Sequence, residues 1–256
     1  MMKNRMICLC FIFGLLFLVP QQGFPISVDL ELVLLIDVSG SISPSEFNLQ
    51  KEGYVDAFSD PAVYEAISQG EIGSIAVTLV YFSGSSQQLQ AVDWTLIDSY
   101  EDSLAFASSI DSTTRPFISI INRTAVQSAL DFAADSIDIN SNDYDATRQV
   151  IDISGDGVDN NSPSGLDGLS AALAVGYDTI NGLVIGTDPS ILIYYQDNVI
   201  GGTDYFVLQV DDFSDFGTAI KSKIITEVQP VPEPATMLFL GSGLFGLWGL
   251  RRKFRM

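Results

Sequence analysis

Glu31-Leu32-Val33-Leu34-Leu35-Ile36-Asp37 runs without a break into Val38-Ser39-Gly40-Ser41. Five consecutive apolar residues, Leu32 to Ile36, do not alternate as a strand with one wet face would. They read as a strand buried on both sides, which is what a parallel sheet covered by helices requires. The run ends in one carboxylate and two hydroxyls at alternate positions, Asp37, Ser39 and Ser41, on a tight turn containing Gly40. Ligand sites of open parallel α/β sheets form beyond the carboxyl ends of the strands. Small oxygen donors gathered at such an end suit a hard cation. A simple turn leading to a helix cap is the other reading of the same residues.

Outward from this stretch, strands and helices alternate. Ser43 followed by Pro44 marks the start of a helix reaching about Ser59. Strands are expected at Ile75–Phe82, Leu89–Ile97, Arg148–Ser154, Thr179–Gly186 and Tyr205–Val210. Helices are expected at Glu101–Ile110, Ala125–Ser136, Ser164–Tyr177, near Ile191–Asn198, and from Phe213 to Thr226. The Ser-Gly-Ser-Ser connection before Leu89 is too short for a parallel crossover, so that strand is antiparallel and at an edge. The pattern specifies an α/β fold: a doubly wound, mostly parallel sheet with helices on both faces and one antiparallel edge strand.

Two further loops fall at the same sheet edge as Asp37. Thr124 precedes a helix, where its hydroxyl is placed either to ligate or to cap. Asp156 follows the apolar strand that ends in Ser154-Gly155. Asp152, inside that strand, is open to pairing with Arg148 or to a role at the site. Asp159, Asn160 and Asn161 are open to calcium binding or to a solvated turn. Trp94, Tyr194 and Tyr195 read as packing residues, with a sugar platform as the alternative.

The chain has no His, and its two cysteines, Cys8 and Cys10, lie in an N-terminal apolar run. That removes Ser-His-Asp and Cys-His catalysis, and zinc sites built on His or Cys. A metal here must be held by oxygen, which points to Mg²⁺, Mn²⁺ or Ca²⁺. The formal charge is −20. Lys3, Arg5, Arg251, Arg252, Lys253 and Arg255 lie in the two tails, whereas Glu233 is the one acid there, so the middle is still more acidic. Such a surface repels nucleic acid and anionic lipid.

Both ends read as targeting segments. Lys3 and Arg5 precede the apolar run Met6–Val19, and Pro20-Gln21-Gln22-Gly23 ends it, the order of a secretory signal peptide over residues 1–25. At the other end, Val231-Pro232-Glu233-Pro234 is followed by an apolar stretch from Ala235 to Leu250 and the basic end Arg251, Arg252, Lys253 and Arg255. That order predicts a C-terminal transmembrane segment with its basic end cytoplasmic. It resembles the PEP-CTERM sorting signal of Gram-negative bacteria. The resemblance implies recognition by an exosortase, processing near the Pro-Glu-Pro motif, and release or attachment at the cell surface over residues 229–256.

The three loops together resemble the metal-ion-dependent adhesion site (MIDAS) of von Willebrand factor type A (VWA) domains. By that likeness Asp37, Ser39, Ser41, Thr124 and Asp156 form the site. The segments Trp94-Thr95, Ile151–Gly157, Thr179–Leu183 and Tyr194–Gly202 are similar to an uncharacterised bacterial VWA-like family, and the likeness spans about Leu30 to Val228 of a domain expected over residues 26–228. The family has Gly before the Thr; here Arg123 stands there, and a cation beside a divalent metal is unfavourable unless it points away. The resemblance implies a binding module rather than an enzyme, whose metal accepts a carboxylate from a partner protein or acidic polysaccharide in the cell envelope or biofilm matrix. A matrix protein with a stabilising metal and a metal-assisted hydrolase with Asp152 or Asp159 as base are the alternatives.

Overall fold

The computed structural model describes residues 24–117, 123–137, 139 and 142–229. The chain enters through a short strand β1 (Ile26–Val28) and continues into β2 (Leu30–Asp37), α1 (Pro44–Ser59), α2 (Pro61–Ser68), β3 (Ile75–Phe82), β4 (Gln88–Ile97) and α3 (Tyr100–Asp111). The second half follows as α4 (Val126–Ser136), β5 (Tyr144–Ala146), β6 (Gln149–Gly155), α5 (Gly168–Val175), β7 (Thr179–Ile185), α6 (Pro189–Asn198), β8 (Gly201–Gly202), β9 (Val207–Val210) and α7 (Phe216–Val228).

The central sheet has the order β4-β3-β2-β6-β7, with β9 continuing it in parallel beside β7. β4 is the antiparallel edge strand expected from its short connection. The two-residue β8 adds a second antiparallel pairing at the start of β7. β2 lies between β3 and β6, parallel to both and buried along its whole length. Its alternate residues serve two cores. Leu30, Leu32, Leu34 and Ile36 pack with α1, α2, α3 and α7. Val33 and Leu35 face the other way, among side chains of α4, α5 and α6. Asp37 continues the second set by the period of two along a strand.

Several elements go beyond the sequence expectation. α2 starts where the Asp60 carboxylate accepts the Ala62 N–H at 2.9 Å, with Pro61 at the first helical position. β1 pairs with β5 in a separate two-stranded parallel sheet. The helix expected over Ser164–Tyr177 is confined to Gly168–Val175. Gly165 has a φ of 81°, Asp167 caps the start, and Gly176 ends the helix at a φ of 124°. The last helix begins at Phe216, three residues later than expected.

Both ends of the described domain lie at the amino end of the strands. β1 leads straight into β2, and Arg148, just before β6, donates to the carbonyls of Glu227 (2.6 Å) and Gln229 (3.3 Å). Asp37 and Gly155 lie at the opposite edge. The apolar stretches Met6–Val19 and Ala235–Leu250 fall outside the described residues. Among the described residues, no helix is long and apolar enough to cross a membrane.

Candidate metal centre

The five residues singled out in the sequence converge on the carboxyl edge of β2 and β6. Three hydroxyls and one carboxylate form a chain. Thr124 Oγ1 donates to Ser39 Oγ at 3.1 Å, Ser39 Oγ and Ser41 Oγ are 3.1 Å apart, and Ser41 Oγ donates to Asp156 Oδ1 at 2.7 Å. Asp37 stands beneath the loop, fully buried, with Oδ1 accepting the Ser39 N–H at 2.7 Å. Its Oδ2 is buried without a hydrogen-bond partner among the described residues. Gly155 sits against it: a β-carbon there would come within 3.0 Å of Asp37 Oδ2.

Burial, and then the neighbouring Asp156 carboxylate, push the Asp37 carboxyl up to about 8. Burial also raises Asp156, while the Ser41 hydroxyl pulls it back. Two repelling carboxylates, one with a bare buried oxygen, and three hydroxyls within hydrogen-bond range make an oxygen cluster short of positive charge. Its donors are those of a hard-cation site. Among the described residues, no group of three or more His, Cys, Asp or Glu could hold a metal, so hydroxyls must complete any coordination. A cleft of about 520 Å³ opens at the other end of the sheet, lined in part by Arg148, Asn181, Phe206 and Glu227. The oxygen cluster is therefore not the wall of that cleft.

The Thr124 hydroxyl faces the cluster rather than the helix. The N-cap of α4 is Ala125, without a side-chain cap, so capping does not use this hydroxyl. Thr124 is buried while Arg123 is exposed, so the cation flagged in the sequence turns away. A different arginine stands behind the loop. Arg115 Nη2 donates to the carbonyls of Val38 (2.9 Å) and Ser39 (2.7 Å), and its charge lowers Asp37.

Asp159, Asn160 and Asn161 brace the Thr124 segment. Asn160 Oδ1 accepts the Thr124 N–H at 3.0 Å, and the Asn160 N–H donates to the Thr124 carbonyl at 2.9 Å. Asp159 Oδ2 accepts from the Gln127 N–H and from Ser162 Oγ, and Oδ1 from the N–H groups of Asn161 and Ser162. Asn161 Oδ1 accepts the Ser85 N–H. These oxygens serve the loop itself. Arg115 escaped the sequence reading, and Asn160 entered it only as a calcium or turn residue, because their targets are backbone atoms remote in sequence.

Asp152 belongs to neither option left open for it. It faces α7, where Lys223 Nζ lies 2.6 Å from its Oδ1 and 2.6 Å from Glu227 Oε1. Asn181 Nδ2 also donates to that Glu227 oxygen, at 2.8 Å. Burial and the Asp152 charge push Glu227 up to about 8 against Lys223 and Asn181. Asp152 is thus part of a buried ionic network on the opposite face of the sheet from Asp37.

The fold is similar to that of von Willebrand factor type A domains. The structure resembles a byssal matrix protein of the mussel, proximal thread matrix protein 1 with a zinc-occupied MIDAS motif (16% identity, TM-score 0.56, covering 79% of this chain and 48% of that one). It also resembles a von Willebrand factor type A protein from Catenulispora acidiphila (16%, TM-score 0.52, 78% and 42%). A third likeness is to the pilus adhesin SpaC from Lactobacillus rhamnosus GG (15%, TM-score 0.54, 80% and 31%). The chain spans about half or less of each of these structures. The chain belongs to the family described as "Protein of unknown function (DUF1194)", whose model matches residues 27–232. Residues 230–253 match the PEP-CTERM protein-sorting motif, which marks an exported, surface-sorted protein. No functionally curated protein matches the chain.

Proposed function

We propose that this protein is an exported, metal-dependent binding module of the cell envelope or biofilm matrix. Asp37, Ser39, Ser41, Thr124 and Asp156 would hold one divalent cation, Mg²⁺ or alternatively Mn²⁺ or Ca²⁺. The observation that carries this reading is the convergence of these oxygens around a carboxylate, Asp37, whose Oδ2 is buried and unpaired. The cation supplies the positive charge that lets an acidic surface accept a carboxylate from a protein or acidic polysaccharide. Arg115 and Asn160 set the backbone that presents the hydroxyls. The matrix and adhesin proteins among the structural neighbours support a role without catalysis.

The two carboxylates considered as base for the hydrolase alternative have other partners. Asp152 is paired with Lys223 on the other face, and Asp159 is occupied by its own loop. We place the signal peptide at residues 1–25, the mature domain at 26–228, and the exosortase-read tail with its membrane segment at 229–256, in a Gram-negative cell. The domain leaves for the tail at the amino end of the strands, so tethering there presents the cation edge outward. Capture of envelope and matrix components on the immobilised protein tests this reading. Binding should occur with Mg²⁺ and be lost with chelator and in Asp37→Ala; capture indifferent to both would refute it.

A further inference from the structure

Tyr195, on α6, has its whole side chain buried. Its ring rests on the sheet over two glycines of neighbouring strands. A β-carbon on Gly182 would stand 3.0 Å from the ring atom Cδ1, and one on Gly155 would stand 2.7 Å from the hydroxyl oxygen. Glycine weakens a strand interior and marks close approach of another group. Here the two glycines form a slot for one phenol, running from β7 to the end of β6.

The slot delivers the hydroxyl to the cation edge. Both the Tyr195 hydroxyl oxygen and Asp37 Oδ2 would lie within 3.0 Å of the same point, the missing β-carbon of Gly155. Both atoms are buried, and neither has a hydrogen-bond partner among the described residues. Burying a hydroxyl unpaired is unfavourable, and phenylalanine would fill the slot without that penalty. The adjacent tyrosine differs: the Tyr194 hydroxyl receives a hydrogen bond from Gln127 Nε2 at 3.3 Å.

We propose that Tyr195 is the positioning residue of Asp37, its hydroxyl donating to Oδ2, directly or through one water, when a divalent cation holds that carboxylate charged. The role rests on the cation reading above. A donor behind a site carboxylate fixes its orientation, and loss of such a partner weakens metal binding about 10–100-fold.

The test is calorimetric titration of the full chain with Mn²⁺. Tyr195→Phe should bind about tenfold more weakly, with its melting temperature in chelator unchanged or raised. Tyr194→Phe should bind like the wild type. Mn²⁺ should also perturb the ultraviolet absorption of tyrosine in the wild type, and Tyr195→Phe should abolish that signal. Wild-type affinity in Tyr195→Phe overturns the proposal. If Tyr195→Phe does not fold, the wild-type spectrum decides: tyrosine absorption unchanged at saturating Mn²⁺ overturns it. A wild type that binds no Mn²⁺ removes the cation reading and this role together. Binding lost in Asp37→Ala but intact in Tyr195→Phe removes the Tyr195 role alone.

Discussion

Asp37→Asn should stabilise the metal-free protein at neutral and alkaline pH. The substitution keeps the shape of the side chain and an oxygen for the Ser39 N–H, but it removes ionisation. In the metal-free fold the Asp37 carboxyl is raised from 3.8 to about 8. The folded chain therefore retains this proton over a range where the unfolded chain has lost it. The Asp37 contribution to stability falls as pH rises from about 4 to about 8, then levels off. Each pH unit is worth about 1.4 kcal/mol, so the interval from 3.8 to neutral pH amounts to roughly 4 kcal/mol at most. Local relaxation leaves about 2–4 kcal/mol. For a domain of this size that is a rise in melting temperature of about 4–16 °C. Thermal melts of the wild type and Asp37→Asn, in chelator at pH 4, 6 and 8, measure it. The two should coincide at pH 4 and separate toward pH 8. Saturating Mg²⁺ should then raise the wild type by about 2.7 kcal/mol at 100 times the dissociation constant and leave Asp37→Asn nearly unmoved. A folded Asp37→Asn that melts below the wild type at pH 8 in chelator would refute the reasoning.

Thr124→Ala removes the hydroxyl that reaches Ser39. It should cost about 1 kcal/mol of stability and weaken cation binding well beyond that, while Thr124→Ser keeps most of both; unchanged calorimetric affinity in the alanine variant would take Thr124 out of the site. Lys223→Met leaves Asp152 and Glu227 buried without their cation. Loss of one partner from such a network costs about 3–5 kcal/mol, readable as a lower urea midpoint, and an unchanged midpoint would contradict the account of the network. A chain ending at Val228 should stay soluble and keep its circular dichroism, because α7 ends there and Gln229 is exposed. Aggregation of that shortened chain would mean that the tail belongs to the fold.

The sequence is most readable where structure is local. A strand buried on both faces must be continuously apolar, so β2, β3 and their parallel relation are visible in Leu32–Ile36 and Ile75–Phe82. The start of α1 is visible in Ser43-Pro44, and the structure realises it as a capping box with Glu46. The same signal stands at Asp60-Pro61 and Asp188-Pro189. Those two starts were missed because short helices carry little apolar periodicity to follow them. β1, β5 and β8 are two or three residues long and exist through pairing with distant partners. Asp37, Ser39 and Ser41 come from one loop, and Asp156 and Thr124 lie at strand and helix ends, so their meeting follows from the topology. Arg115, Asn160 and Tyr195 act across the fold on Val38 and Ser39, on Thr124 and beside Asp37. Nothing in their own neighbourhoods announces those contacts. Tyr195 reads as a packing residue because its ring does pack; only the placement of its hydroxyl beside Gly155 sets it apart.

In the proposed site, five oxygen-bearing side chains hold one divalent cation. Equilibrium titration of the metal-free protein with Mn²⁺, followed by electron paramagnetic resonance of the free ion, tests it most directly. One ion per chain should bind at or below millimolar Mn²⁺, be displaced by Mg²⁺, and be lost in an Asp37→Ala variant that still folds. A folded wild-type chain that leaves all the Mn²⁺ free at millimolar concentration, or an Asp37→Ala chain that binds it as the wild type does, would contradict the account.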